Sequence, residues 1–273
     1  MGKFDGVLFC TDLDGTLLNS QRQVSAENRA AIEYFKSEGG SFTIITGRPP
    51  CLSSEIYEAS GANIPYGCIN GGAIYDPAAG KYLWADALPE EAKDIIRYVE
   101  RNMPDIGIQV NYPDRICFCR ANSSTDHFCE ITGYPYIFKD IKDLGEEPIY
   151  KVIFSTDDEA RLAEIRAEIS ALPQAEQVSF ISGARDLCEM LSKGNTKGTA
   201  LCKLAELLGF DMKKTVAVGD FENDIDMIKK AGIGYAVANA DPRAKAVADR
   251  ITVSNNDHAI ARIIEELGDS ITV

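Results

Sequence analysis

The chain contains no run of 18 apolar residues, so nothing in it reads as a membrane-spanning helix. Residues 1–5, Met-Gly-Lys-Phe-Asp, lack the apolar stretch of a secretory signal. Positive charge is scarce: 28 Lys and Arg stand against 42 Asp and Glu, a formal net charge of −14. That balance argues against a nucleic-acid backbone or an anionic membrane surface as partner. It leaves room for a small anionic substrate, because a pocket can be positive on an acidic protein. The cysteines, at positions 10, 51, 68, 117, 119, 129, 188 and 202, have none of the paired spacing of a zinc site, and several sit in apolar runs. They read as free thiols, and a cytoplasmic location is expected with them. Histidine is almost absent. His127 and His258 lie far apart and beside no motif, which suits surface or capping roles. Gly232-Ile233-Gly234 has no third spaced glycine, so it is no dinucleotide fingerprint. The single tryptophan, Trp84, reads as a packing residue.

What is present is ordinary for a globular protein: 45% hydrophobic and 26% charged residues in a chain of 273. At about 150 residues per domain that length allows two domains. Residues 6–10, Gly-Val-Leu-Phe-Cys, form a short apolar run that predicts a buried parallel strand. Residues 25–38 carry Ala30, Ala31, Tyr34 and Phe35 at helical spacing, with Ser25 as N-cap and Gly39-Gly40 as the stop. A second strand is expected at 41–45. The C-terminal part repeats the alternation: helix 195–208, strand 215–218, helix 222–230, strand 232–237 and helix 257–267. Both ends of the chain therefore predict one α/β layer architecture, a doubly wound and mostly parallel sheet. The middle differs. Segments 67–70 and 81–84 flank hairpin chemistry. Helices at 89–102 and 157–172 then mix with strands at 106–111, 115–119, 176–181 and 187–191. This predicts an inserted α+β domain at 85–186, within a core made of 1–84 and 187–273.

The chemistry-bearing residues fall on loops that follow strands or open helices. Asp12-Leu13-Asp14-Gly15-Thr16-Leu17 follows the first strand, at the end where open α/β sheets bind ligands. Its paired carboxylates suit Mg²⁺, and Gly15 permits a tight turn. Thr46-Gly47-Arg48 follows the second strand, and its hydroxyl, amide and guanidinium can all donate to phosphate oxygens. Lys197-Gly198 opens a helix, where the N-terminus and an ammonium both favour an anion. Gly219-Asp220-Phe221-Glu222-Asn223-Asp224 follows the 215–218 strand, with Asp224 one helical turn beyond Asp220. Each part alone has a bland alternative: a capped helix, a strand-to-helix turn or a solvated lysine. The four together are far more specific.

In order, these four segments resemble the four motifs of the haloacid dehalogenase (HAD) superfamily. Ile69-Asn70-Gly71-Gly72-Ala73 and the insertion after it resemble the Cof-like phosphatases, which have a large α/β cap. The resemblance implies a Rossmann-like HAD core, with the insertion as a cap that selects substrate. It implies a Mg²⁺-dependent phosphatase for small phosphorylated metabolites such as sugar phosphates, working through an aspartyl phosphate. Asp12 would be the nucleophile and Asp14 the acid–base. Thr46, Gly47, Arg48, Lys197 and Asn223 would bind phosphate. Asp12, the Asp14 carbonyl, Asp220 and Asp224 would hold the metal. Lys193-Gly194 competes with Lys197-Gly198 for the third motif; Lys197 is preferred because Asn195 or Thr196 can cap the helix before it. A phosphomutase of the same superfamily and a phospho-accepting signalling module are the alternatives.

Overall fold

The computed structural model describes residues 2–270, which divide into two compact units. One comprises residues up to 48, 53–84 and from 196 onward; the other comprises 49–52 and 85–195.

The first unit is built on a five-stranded sheet in which every pairing is parallel. Its order is Arg250–Ile251, Ile233–Ala236, Thr215–Gly219, Leu8–Thr11, Ser41–Ile44. Leu8 lies opposite both Thr215 and Ser41. The central strands are buried along their whole length, which is why they read as unbroken apolar runs. Their side chains alternate between two cores. Leu8 and Cys10 join Leu201 and Leu204 of the Lys197–Leu208 helix. Phe9 points the other way, its ring 5.9 Å from Phe35 on the Ala26–Ser37 helix and 5.4 Å from Phe42. Ser25 caps that helix by accepting from the Asn28 amide at 3.2 Å. The Ala259–Ser270 helix packs against the same Ala26–Ser37 helix, giving the sheet helices on both faces. The doubly wound core is therefore present as expected. Trp84 packs against the Leu8–Leu201 side of the core, and His258 bonds the Ser25 hydroxyl at 2.9 Å. A small sheet of Tyr66–Cys68, Ala73–Asp76 and Lys81–Ala85 completes the unit, with a strand lying between the two turn signals that the sequence showed.

The second unit has a five-stranded sheet ordered Ile116–Arg120, Gly107–Asn111, Lys151–Ser155, Leu187–Ser192, Val178–Ile181, and every pairing is antiparallel. Ile95, Ile96 and Val99 from the Ala92–Asn102 helix, with Ile165 and Ile169 from the Glu159–Ser170 helix, fill one core with Ile108, Val110 and Phe154 from the strands. The boundary expected at 186 is corrected here. The Leu187–Ser192 strand was expected in the core, but it pairs on both sides within this sheet. The unit runs on to residue 195. Gly194, at φ +90°, turns the chain just before the next helix. Among the described residues no helix is long and apolar enough to cross a membrane.

Candidate active site

The first unit holds Asp12, Asp14, Thr46, Gly47, Arg48, Lys197, Asp220, Asn223 and Asp224. Asp12 extends the central pairing by one bond, its amide donating to the Val218 carbonyl at 3.0 Å, and then opens a tight turn at Leu13–Leu17. Gly15 takes φ +79°, and a Cβ there would lie 2.6 Å from an Asp220 carboxylate oxygen. Only glycine fits both constraints. Thr16 donates its hydroxyl to Asp220 Oδ1 at 2.8 Å.

Lys197 is the first residue of its helix. Thr196 caps that helix by accepting from the Thr199 amide at 3.0 Å, while the Thr199 hydroxyl accepts from the Thr196 amide at 3.0 Å. The ammonium, 1% exposed, donates to Asp12 Oδ1 at 2.6 Å and to Asp224 Oδ1 at 2.7 Å. Lys193 is on the surface of the other unit, donating to the Glu176 carbonyl at 2.9 Å. Of the two lysines the sequence offered, only Lys197 reaches the carboxylates. The other oxygen of Asp224, Oδ2, accepts from the amides of Asp220 at 3.0 Å and Phe221 at 3.1 Å. Asp224 thus shapes the turn and anchors the lysine at once.

Carboxylate oxygens of Asp12, Asp220 and Asp224 lie within 4.8 Å of one another. Their protonation reflects that crowding. Burial first, then the charges of Asp224 and Asp220, push the Asp12 carboxyl well above its usual range against the pull of Lys197. Asp220 is pushed up to about 6 by burial and by Asp224, with the Thr16 hydroxyl opposing. Burial alone would lower Lys197, but the Asp12 and Asp224 charges outweigh it and raise the ammonium. Three carboxylates around one ammonium leave a formal charge of −2. All the donors are hard oxygens. A dication of the Mg²⁺ class balances that charge and suits those donors, so the residues fit such a metal.

Three expected anion binders have other partners. Arg48 grips Asp14 through both carboxylate oxygens, Nε at 2.9 Å and Nη2 at 2.7 Å. The Asp14 side chain therefore stands apart from the three-carboxylate cluster. The Thr46 hydroxyl, buried, accepts from the Arg48 amide at 3.2 Å. Asn223 donates to Asn70 Oδ1 at 2.9 Å. Asn70 belongs to an arch of three consecutive left-handed residues, with φ values of +55° at Ile69, +51° at Asn70 and +92° at Gly71. Such backbone costs of order 1–3 kcal/mol for a β-branched residue like Ile69 and persists only where its surroundings over-determine it. Asn239, unforeseen, donates to the Gly15 carbonyl at 2.8 Å from the loop after Ile233–Ala236. The signal for it was positional, since that loop is the next one along the same sheet edge.

A family model for haloacid dehalogenase-like hydrolases matches residues 9–264. The chain is 30% identical over 287 residues to the phosphatase YwpJ of Bacillus subtilis strain 168, covering 95% of this chain and 99% of that protein. It is 28% identical over 258 residues to the 5-amino-6-(5-phospho-D-ribitylamino)uracil phosphatase YcsE of the same organism, covering 94% of each. A solved haloacid dehalogenase-like hydrolase from B. subtilis superposes with a TM-score of 0.83 at 26% identity, over 95% of this chain and 99% of that one. With this fold and these four loops, the chain belongs to the haloacid dehalogenase-like hydrolases. Within that family it is a phosphatase of the Cof-like kind, a phosphoric monoester hydrolase whose core carries an inserted α/β cap.

Proposed function

We propose that the protein is a Mg²⁺-dependent, cytoplasmic phosphatase of small phosphorylated metabolites, sugar phosphates among them, working through an aspartyl phosphate on Asp12. The observation that carries this reading is the buried Lys197 ammonium bridging Asp12 and Asp224 beside Asp220. It supports the reading because the Asp12 carboxylate lies beside a cation that can also meet a phosphoryl oxygen. An Asp12 oxygen attacks phosphorus, the ester P–O bond breaks, and Asp14 gives a proton to the departing alkoxide. Asp14 then takes a proton from the water that attacks the acyl phosphate, releasing inorganic phosphate and restoring the Asp12 carboxylate. Asp14 leaves Arg48 and takes up a proton from solvent as the ester binds, and Thr46, Gly47, Lys197 and Asn223 bind the phosphoryl oxygens. Asp12, Asp220, Asp224 and the Asp14 carbonyl would hold Mg²⁺, which offsets repulsion between the nucleophile and a phosphate dianion. The second unit selects the ester. A relative named for a phosphorylated ribityl compound supports a polyhydroxylated leaving group. Free thiols at all eight cysteines support a reducing compartment.

Asp14→Asn tests the reading. The variant keeps its backbone carbonyl but loses the acid–base. Turnover of an alkyl phosphate is expected to fall about 10³-fold. With p-nitrophenyl phosphate, whose leaving group needs little protonation, a burst of phenolate followed by a slow steady rate is expected. Equal, small losses on both esters with no burst would remove Asp14 from the acid–base role.

Protons compete with the metal at the same oxygens. With Asp220 held up to about 6, the Mg²⁺ affinity of metal-free protein is expected to be about fourfold or more weaker at pH 5.5 than at pH 7.5. Calorimetric titration at the two pH values measures this. Equal affinities would show that Asp220 is not a ligand.

A further inference from the structure

The Ile69–Asn70–Gly71 arch touches three of the four motif loops. Its backbone is tied to the second loop, with the Asn70 amide donating to the Thr46 carbonyl at 3.0 Å and the Ile69 amide to the Arg48 carbonyl at 3.1 Å. Gly71 lies against the start of the Lys197 helix, so closely that a Cβ there would fall 1.8 Å from the Thr196 carbonyl oxygen. The Asn70 side chain, fully buried, meets the fourth loop by accepting from Asn223 Nδ2 at 2.9 Å. It also rests on Gly47, whose missing Cβ would lie 2.9 Å from Asn70 Oδ1.

We propose that Asn70 is a positioning residue for phosphate, locking the Asn223 amide so that its nitrogen, and not its oxygen, is presented to the phosphoryl group. This rests on the reading above in which Asn223 binds a phosphoryl oxygen. A primary amide offers an oxygen and a nitrogen of nearly equal size, and only the nitrogen attracts an anion. Asn70 Oδ1 can only accept, so it fixes which end of Asn223 faces it. Nδ2 carries two hydrogens: one is spent on Asn70, and the other is the donor for the phosphoryl oxygen. Without Asn70 the amide can rotate and turn its carbonyl toward the anion. The left-handed arch explains why asparagine stands here. It is one of the few residues besides glycine that tolerates φ near +50°, and, unlike aspartate, it offers a side-chain acceptor without adding a negative charge beside the phosphate.

The test uses Asn70→Gly, Asn223→Ala and the double variant in the full-length enzyme with Mg²⁺. Asn70→Gly keeps the left-handed backbone and removes only the amide. The readouts are the inhibition constant of inorganic phosphate and KM and kcat for p-nitrophenyl phosphate, with Tm as the control for folding. Each single variant is expected to raise the phosphate inhibition constant and KM about tenfold, as for loss of one hydrogen bond to an anion. The double variant is expected to be no worse than the weaker single by more than about twofold, because both changes remove one contact. kcat is expected to fall less than KM rises. If Asn70→Gly does not fold, Asn70→Ser, too short to reach Asn223, is read the same way. An unchanged inhibition constant in Asn70→Gly, while Asn223→Ala raises it, would overturn the positioning role and leave the site reading intact. Losses that multiply in the double variant would also overturn it. An unchanged constant in Asn223→Ala would overturn the role of Asn223 itself and the proposal with it.

Discussion

Asp12→Asn is expected to lower kcat by about 10⁵-fold or more, the scale on which removal of a covalent nucleophile acts. The same substitution is expected to raise the Tm of the metal-free protein by a few degrees. The two effects share one cause. Asp12 is buried and faces the charges of Asp224 and Asp220, which together with burial hold its carboxyl high. An amide keeps the shape and removes one of three crowded negative charges. Lys197 keeps Asp224 as partner, so no buried ammonium is stranded. Excess Mg²⁺ is expected to reverse the ranking, stabilising the wild type more than the variant, because the variant lacks one carboxylate of the proposed metal site. Steady-state turnover at saturating Mg²⁺ and melting curves with and without chelator check both halves. Wild-type kcat in the Asp12→Asn protein would end the covalent mechanism. A lower Tm without metal would mean that Asp12 is not a strained charge.

Lys197→Met is expected to act with the opposite sign on stability. The methionine fills similar space, but Asp12 and Asp224 are left buried with no cation between them. Breaking a buried pair from one side costs about 3–5 kcal/mol. In a chain of this size that is a fall of about 10 °C in Tm without metal. Mg²⁺ is expected to restore part of the loss by taking over the neutralisation, while kcat stays about 10³-fold down for want of the ammonium on the phosphoryl group. Paired melts of the two variants decide the matter. If Lys197→Met is as stable as wild type in chelator, the lysine is not the counter-ion that its 2.6 and 2.7 Å bonds make it.

The parts of this site that could be read in advance are those encoded locally. Asp12 and Asp14 follow an apolar run, Thr46-Gly47-Arg48 follows another, and Asp220 to Asp224 a third; each pattern lies within a few residues. The choice of Lys197 over Lys193 was likewise local, since Thr196 is a capping residue next to it. Pairings across the chain carried no such mark. Arg48 has donor groups suited to phosphate, and nothing near it in sequence says that its partner is Asp14. The Asn70–Asn223 bond spans 153 positions, and nothing beside Asn70 in the sequence marks its partner. Sheet membership failed for the same reason. Leu187–Ser192 was recognisable as a strand, but only its register against Lys151–Ser155 and Val178–Ile181 assigns it to the second unit. Lys151–Ser155 itself went unread, although it lies at the centre of that sheet.

The order of the parallel sheet has a consequence for biosynthesis. Leu8–Thr11 is hydrogen-bonded on one side to Ser41–Ile44, made shortly afterwards, and on the other to Thr215–Gly219, made near the end. At about 5–20 residues per second, the first strand waits roughly 10–40 s on the ribosome with one edge unsatisfied. An apolar edge left open invites pairing with the wrong neighbour. This chain is therefore most exposed to misassembly while it is being translated, and slow decoding upstream of residue 215 would lengthen that interval. A product terminated before that point would hold Asp12 without Asp220 or Asp224, so the three-carboxylate cluster exists only in copies translated past residue 224.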